Sequence, residues 1–216
     1  MFSWHGNADL IVAIIKLFED LKNSENDIID KGVQAILLVE DSVRFYSTYL
    51  PELYKLTLKQ SSEFLKETLN EQQRKFRKRS RPKILLATNL DDALQMYTRY
   101  RNNLLGVISD VGFTVHKGDS ADMEKLDAGI DLVKHIKADN EKMPILLQSS
   151  QDSISAVAKE LGVGFLRKYS KTLMLQLSDY IKEEFGFGDF VFRDANHVEY
   201  GRAANLKELE AIIREV

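Results

Sequence analysis

The sequence contains no cysteine. That absence removes disulfides, thiolate metal sites and cysteine nucleophiles, and it fits a reducing cytoplasm. Long apolar runs are missing too. The strongest one near the N-terminus, Leu10 to Phe18, is interrupted by Lys16 and followed by Glu19 and Asp20, well short of the ~20 apolar residues that a bilayer-spanning helix needs. No basic leader or small-residue cleavage site accompanies it, so a signal peptide is not read here. The expectation is a cytoplasmic protein with no membrane partner. Neither sign of charge dominates: 30 Lys and Arg against 33 Asp and Glu leave a net charge of −3, which points to no polyanionic partner. No helix-turn-helix or winged-helix pattern is present, and nucleic-acid binding is not expected. The glycines of Phe185-Gly186-Phe187-Gly188 lack a strand before and a helix after them, which excludes a dinucleotide fingerprint. His5, His116, His135 and His197 have no metal-ligand spacing and are read as surface or local hydrogen-bonding residues. No internal repeat or low-complexity tract occurs.

What is present reads as one folded unit with appendages, at an ordinary 44% apolar and 29% charged. Residues 8–22 place Leu10, Ile11, Ile14, Ile15, Phe18 and Leu21 at helical spacing. Polar residues Asn23 to Lys31 then read as a separator. This helix either packs on the main domain or is the last part of an upstream one. From Val33 onward short apolar runs alternate with helical segments. The runs are 33–39 (VQAILLV), 83–87 (KILLA), 104–109 (LLGVIS), 144–148 (PILLQ) and 164–167 (GFLR). They show almost no polar alternation, as strands buried on both faces of a parallel sheet do. Helical segments are expected over 42–79, 91–101, 128–138, 153–161 and 171–184. Five strands alternating with five helices predict an α/β, doubly wound, five-stranded parallel sheet. The first helical segment is unusually long. Pro51 should kink or restart it, and residues 51–80 read as a helical extension. The basic run Arg74 to Lys83 is read as a solvated helix end. Residues 187–216 read as a small βα appendage: a hairpin around Asp194-Ala195-Asn196, then a helix capped by Asn205. The expected division is 1–32, 33–186 and 187–216.

In an open α/β sheet, ligands bind beyond the carboxyl ends of the strands. The first strand ends in Glu40-Asp41, the third in Asp110, the fourth in Ser149-Ser150 and the fifth in Lys168. Three carboxylates, a hydroxyl pair and an ammonium should therefore meet at one edge. Two like charges at 4 Å repel by roughly 4 kcal/mol at an effective dielectric near 20, so such a cluster calls for a cation. Mg²⁺ suits oxygen ligands of this kind. With the charge offset, one carboxylate can act as a nucleophile toward phosphorus, while Lys168 and Ser149 bind phosphoryl oxygens.

ILLVEDS, VISD, PILLQSS and GFLRK, in this order at strand ends, resemble the receiver domain of two-component response regulators over residues 33–185. The resemblance implies that Glu40 and Asp41 are the acidic metal pair and that Asp110 is the phosphoacceptor and a metal ligand. It further implies a metal-ligating backbone carbonyl at Gly112, a switch hydroxyl at Ser149, a catalytic lysine at Lys168 and a switch aromatic at Phe165. It implies a phosphorelay partner (a histidine kinase or phosphotransfer protein), a downstream protein or adjoining domain as output, and a switch with at most slow autophosphatase activity. A homodimer is left open, with the apolar stripe of 8–22 as one candidate face. The tail also resembles a connector in large bacterial proteins carrying a phosphoenolpyruvate-synthase-like module.

Two departures stand out. Receiver domains commonly carry a proline shortly after the acceptor, where Val111 to Thr114 has none. They usually carry another after the lysine, where this chain has Tyr169; a cis bond there would cost about 2.5–4 kcal/mol, so a trans link is expected. These departures sustain one alternative, a pseudo-receiver that assembles without phosphorylation. A phosphatase with an Asp nucleophile is a weaker rival, because its usual second Asp would stand at Gly112. The long loop from Val111 to Leu126 reads as a lid or an added contact surface.

Overall fold

The structure, a computed structural model, describes residues 1–3, 6–66, 81–186, 190–193, 199–203, 211, 212 and 214. The five apolar runs form β1 (Ala35–Val39), β2 (Lys83–Ala87), β3 (Leu104–Asp110), β4 (Ile145–Ser149) and β5 (Gly164–Arg167). All pair in parallel, in the order β2-β1-β3-β4-β5. Every residue of β1 and β4 is buried, which is why neither run alternates with polar residues. The order is that of a flavodoxin-like doubly wound sheet, whose winding reverses between the first and third strands. Register places Val39 beside Ser109 and Asp110 beside Gln148, so the residues that leave β1 and β3 flank the crevice.

Side chains alternate between two cores, as strand geometry requires. Ala35, Leu37, Val39, Leu85, Val107, Ile145 and Leu147 face α3 (Leu90–Tyr100), α4 (Ala128–Asp139) and α5 (Ile154–Glu160). Ile36, Leu38, Ile84, Ile108, Leu146 and Leu166 face α1 (Asp9–Ser24), α2 (Val43–Lys66) and α6 (Leu173–Glu183). Asn89 caps α3 by accepting from Asp92 N at 2.8 Å.

α1 packs on α2 and the β2 edge through Leu10, Ala13 and Leu17. Its inward Asp20 is fully buried and accepts from Arg81 at 2.6 and 3.0 Å, from the Tyr54 hydroxyl at 2.9 Å and from Ile84 N at 3.0 Å. Residues 23–31 are not the separator their polarity suggests. Glu25–Asp30 continues as one π-helical stretch, held by fully buried Ile28 and by an Asp27–Lys83 ion pair at 2.7 Å. Arg81 and Lys83 are likewise buried ion-pair members rather than a solvated helix end; residues 74–80 lie outside the described residues.

α2 runs through Pro51 without restarting, because buried Tyr49, Leu50, Leu53 and Tyr54 hold both sides of it against the sheet. The remainder of the expected extension, 67–80, lies outside the described residues. In the tail, β6 (Phe190–Arg193) and β7 (Glu199–Ala203) pair antiparallel, as a hairpin would. Its turn, Asp194 to Asn196, lies outside the described residues, as does most of the expected closing helix. Among the described residues no helix is long and apolar enough to cross a membrane.

Candidate functional site

Glu40 leaves β1 on the same side as Ile36 and Leu38, which carries its carboxylate under α2 to 1% exposure. Its Oε1 accepts from Ser42 N at 3.1 Å. Asp41, on the opposite side, does not cap α2; its Oδ2 accepts from Thr114 N at 3.3 Å. Asp110 closes β3, and its Oδ1 accepts from its neighbour Val111 N at 2.7 Å. Lys168 follows β5 and is fixed by a backbone bond to Ser149 O at 2.8 Å. Its Nζ bridges the two strand ends, donating to Glu40 Oε2 at 2.8 Å and Asp110 Oδ2 at 2.5 Å, and lies 4.0 Å from the centre of the Phe45 ring. Glu40, Asp41 and Asp110 each offer an oxygen within 4.8 Å of the others.

Three carboxylates against one ammonium leave the cluster with excess negative charge. Burial, and then repulsion from Asp110, push the Glu40 carboxyl up to about 8 against the pull of Lys168. Burial raises Asp41 as well, with Asp110 adding to it. For Lys168 burial works in the opposite sense, but Glu40 and Asp110 outweigh it and hold the ammonium above the ordinary lysine value.

Whether a hard cation suits these residues is answered by their donors. All three side chains offer oxygen, and Mg²⁺ takes one or two carboxylates with waters and phosphate oxygens. Close by, the Tyr49 hydroxyl is buried at 1% exposure without a hydrogen-bond partner. Burial and then the charges of Glu40 and Asp110 push its phenol up. An orphaned buried hydroxyl beside surplus carboxylate is what a site leaves when solvent or an ion belongs to it. The residues fit such a cation.

Glu40, Asp41, Asp110 and Lys168 thus converge. Ser149 stands on the adjacent strand end, and its Oγ accepts from Gln151 N at 3.1 Å. Phe165 is half-buried against the α3–α5 layer. Gly112 lies two residues beyond Asp110, in the loop. Tyr169 is joined by a trans peptide, and its φ of +67° places it in the left-handed region. Its exposed ring meets Phe45 edge-on at 5.2 Å. The 111–126 loop is tied down rather than free: Thr114 O and Val115 O accept from Leu90 N and Asp91 N at 3.0 and 3.1 Å, and Phe113 is fully buried. Sequence reasoning passed over Phe45, Thr114, Glu124 and Gly129. No local spacing marks them; only the loop's length and bare Gly112 hinted that another residue covers this edge.

No family model matches the chain, and no curated protein does. Among solved structures it is similar to a response regulator receiver domain protein from Clostridium thermocellum, at 19% identity and a TM-score of 0.46, covering 71% of this chain and 94% of that one. It is also similar to the non-phosphorylated HemR receiver domain from Leptospira biflexa (19%, 0.40, 68% and 94%). A third is the receiver domain of NtrX from Brucella abortus (20%, 0.39, 68% and 98%).

Proposed function

We propose that this chain is a receiver switch in which Asp110 accepts a phosphoryl group from a phosphohistidine donor. The observation that carries the reading is the single ammonium of Lys168 shared between Glu40 and Asp110, at the sheet edge where Asp41 completes a trio of carboxylates. One Asp110 oxygen attacks phosphorus, a P–O bond forms, the P–N bond to the donor imidazole breaks, and the imidazole nitrogen keeps the electron pair. Lys168 holds Oδ2 and so orients the attacking carboxylate. Glu40, Asp41, Asp110 and the Gly112 carbonyl would hold Mg²⁺, which when bound neutralises the carboxylates and the phosphoryl oxygens. Ser149 would turn from Gln151 toward the new phosphoryl group, with Phe165 following as switch aromatic.

Residues 33–186 form the receiver unit in this reading, with 1–32 and 187–216 as its appendages. The partners are a cytoplasmic histidine kinase or phosphotransfer protein and a downstream protein or adjoining domain. The chain acts as a switch, not a turnover enzyme. Amide NMR with beryllofluoride and Mg²⁺ tests it. Shifts centred on residues 110, 149 and 165, absent in Asp110→Asn, are expected; an unresponsive spectrum would assign the chain to the pseudo-receivers.

A further inference from the structure

Gly112 has no side chain, and the space beside it is taken by another residue. A Cβ built at 112 would collide with Oε1 of Glu124 and stand 3.4 Å from its Cδ. Glu124 lies twelve positions further along the same loop, so something must bring it back. Backbone pairing does. Phe113 N donates to Lys125 O at 3.3 Å and Lys125 N to Phe113 O at 3.1 Å, an isolated antiparallel bridge. The bridge is anchored by the fully buried Phe113 ring and by Thr114 N on Asp41. The neighbouring ammonium does not neutralise Glu124, because Lys125 turns to Asp131. Among the described residues the Glu124 carboxylate has no hydrogen-bond or ion-pair partner. Burial, and then the charges of Asp41 and Asp110, push its carboxyl up, which places it in the field of the cluster. It is not one of the carboxylates whose oxygens all lie within 4.8 Å of one another, so it stands outside the direct ligand set.

We propose that Glu124 is a fourth, outer carboxylate of the cation site, which strengthens cation binding through water in the resting state and opposes the arrival of a phosphoryl group. The inference rests on the receiver reading and adds a positioning residue to it. Two consequences of opposite sign follow from one charge. A carboxylate about 6 Å from a divalent ion, in a water-like dielectric, changes its affinity about tenfold. The same carboxylate repels an anionic phosphoryl group entering beside Gly112.

The test compares wild type, Glu124→Gln, Gly112→Ala and Asp110→Asn. Mg²⁺ is titrated by calorimetry, and beryllofluoride by amide NMR at saturating Mg²⁺. Glu124 is exposed, so its amide variant should keep the wild-type melting temperature. Glu124→Gln should bind Mg²⁺ about tenfold more weakly and beryllofluoride more tightly. Gly112→Ala leaves the 112 carbonyl in place but evicts the Glu124 carboxylate, and should reproduce both changes. Unchanged Mg²⁺ affinity in Glu124→Gln, with loss of binding in Asp110→Asn, would overturn the role of Glu124 and leave the receiver reading standing. Parallel weakening of both ligands would overturn it too, since a merely structural role moves both the same way. Absence of Mg²⁺ binding in wild type would remove the receiver reading and this inference together.

Discussion

Buried beneath α2 with Asp110 beside it, the Glu40 carboxyl is pushed up to about 8, so in the absence of metal it holds a proton at neutral pH. An unfolded chain releases that proton near 4.5. The folded state therefore binds more protons across the window from about 4.5 to about 8, and stability from this group, full below the window, is lost as pH rises through it. A cation needs the ionised form and must expel the proton. Mg²⁺ affinity should accordingly rise about tenfold per pH unit up to about 8 and level off above it. Calorimetry across neutral and alkaline pH checks this, and a flat profile in wild type would contradict it. In Glu40→Gln that part of the pH dependence should vanish. The position carrying Glu was legible from the strand end; its protonation was not, because that depends on α2 closing over it.

At the scale of elements, two ion pairs of α1 and its π-helical continuation separate strong from weak contributions. Asp20–Arg81 is enclosed on all sides, whereas the pair between Arg99 and Glu25 is more than half exposed on both members. Removing one partner of a buried pair strands a charge, so Asp20→Ala should cost about 3–5 kcal/mol. Glu25→Gln should leave stability nearly unchanged, because water and salt screen an exposed pair. Urea unfolding of both variants measures the contrast; equal losses would mean that α1 is not held by its buried charge. Gly129 supplies a second element-scale case. Its amide donates to Val111 O at 2.8 Å, and a Cβ there would stand 2.9 Å from Val111 Cα and collide with Asp110 O. The first turn of α4 thus leans directly on the acceptor strand. Gly129→Ala must push backbone against backbone, with an expected loss of about 1–3 kcal/mol and a weaker Mg²⁺ site. Wild-type stability and affinity in that variant would show that the turn has slack.

Over the whole molecule, the sheet was legible because β1 and β4 are buried throughout and β2 and β3 mostly so, which gives their apolar runs sharp ends; Glu40, Asp41 and Asp110 stand at such ends, and Lys168 follows the more exposed β5. Residues 23–31 were misread because Asp27 and Lys83 satisfy one another across 56 positions, and polarity alone looks the same whether a charge is solvated or paired. Glu124 was missed for the same reason of distance: the Phe113–Lys125 bridge, not sequence spacing, returns it to the site. A cluster of like charges should also trade global stability against ligand binding. Among the described residues Asp41 has no ammonium contact of its own, and burial and Asp110 both push its carboxyl up, so Asp41→Asn should raise the melting temperature of the metal-free protein while its amide oxygen still accepts from Thr114 N. The same variant should lose the gain that Mg²⁺ gives. At a hundredfold excess over the dissociation constant that gain is about 2.7 kcal/mol, or roughly 5–11 °C in melting temperature for a chain of this length. Wild type and variant should therefore cross, the variant melting higher in chelator and lower in saturating Mg²⁺. Parallel melting curves, with no crossing, would mean that the cluster is neither strained without a cation nor relieved by one.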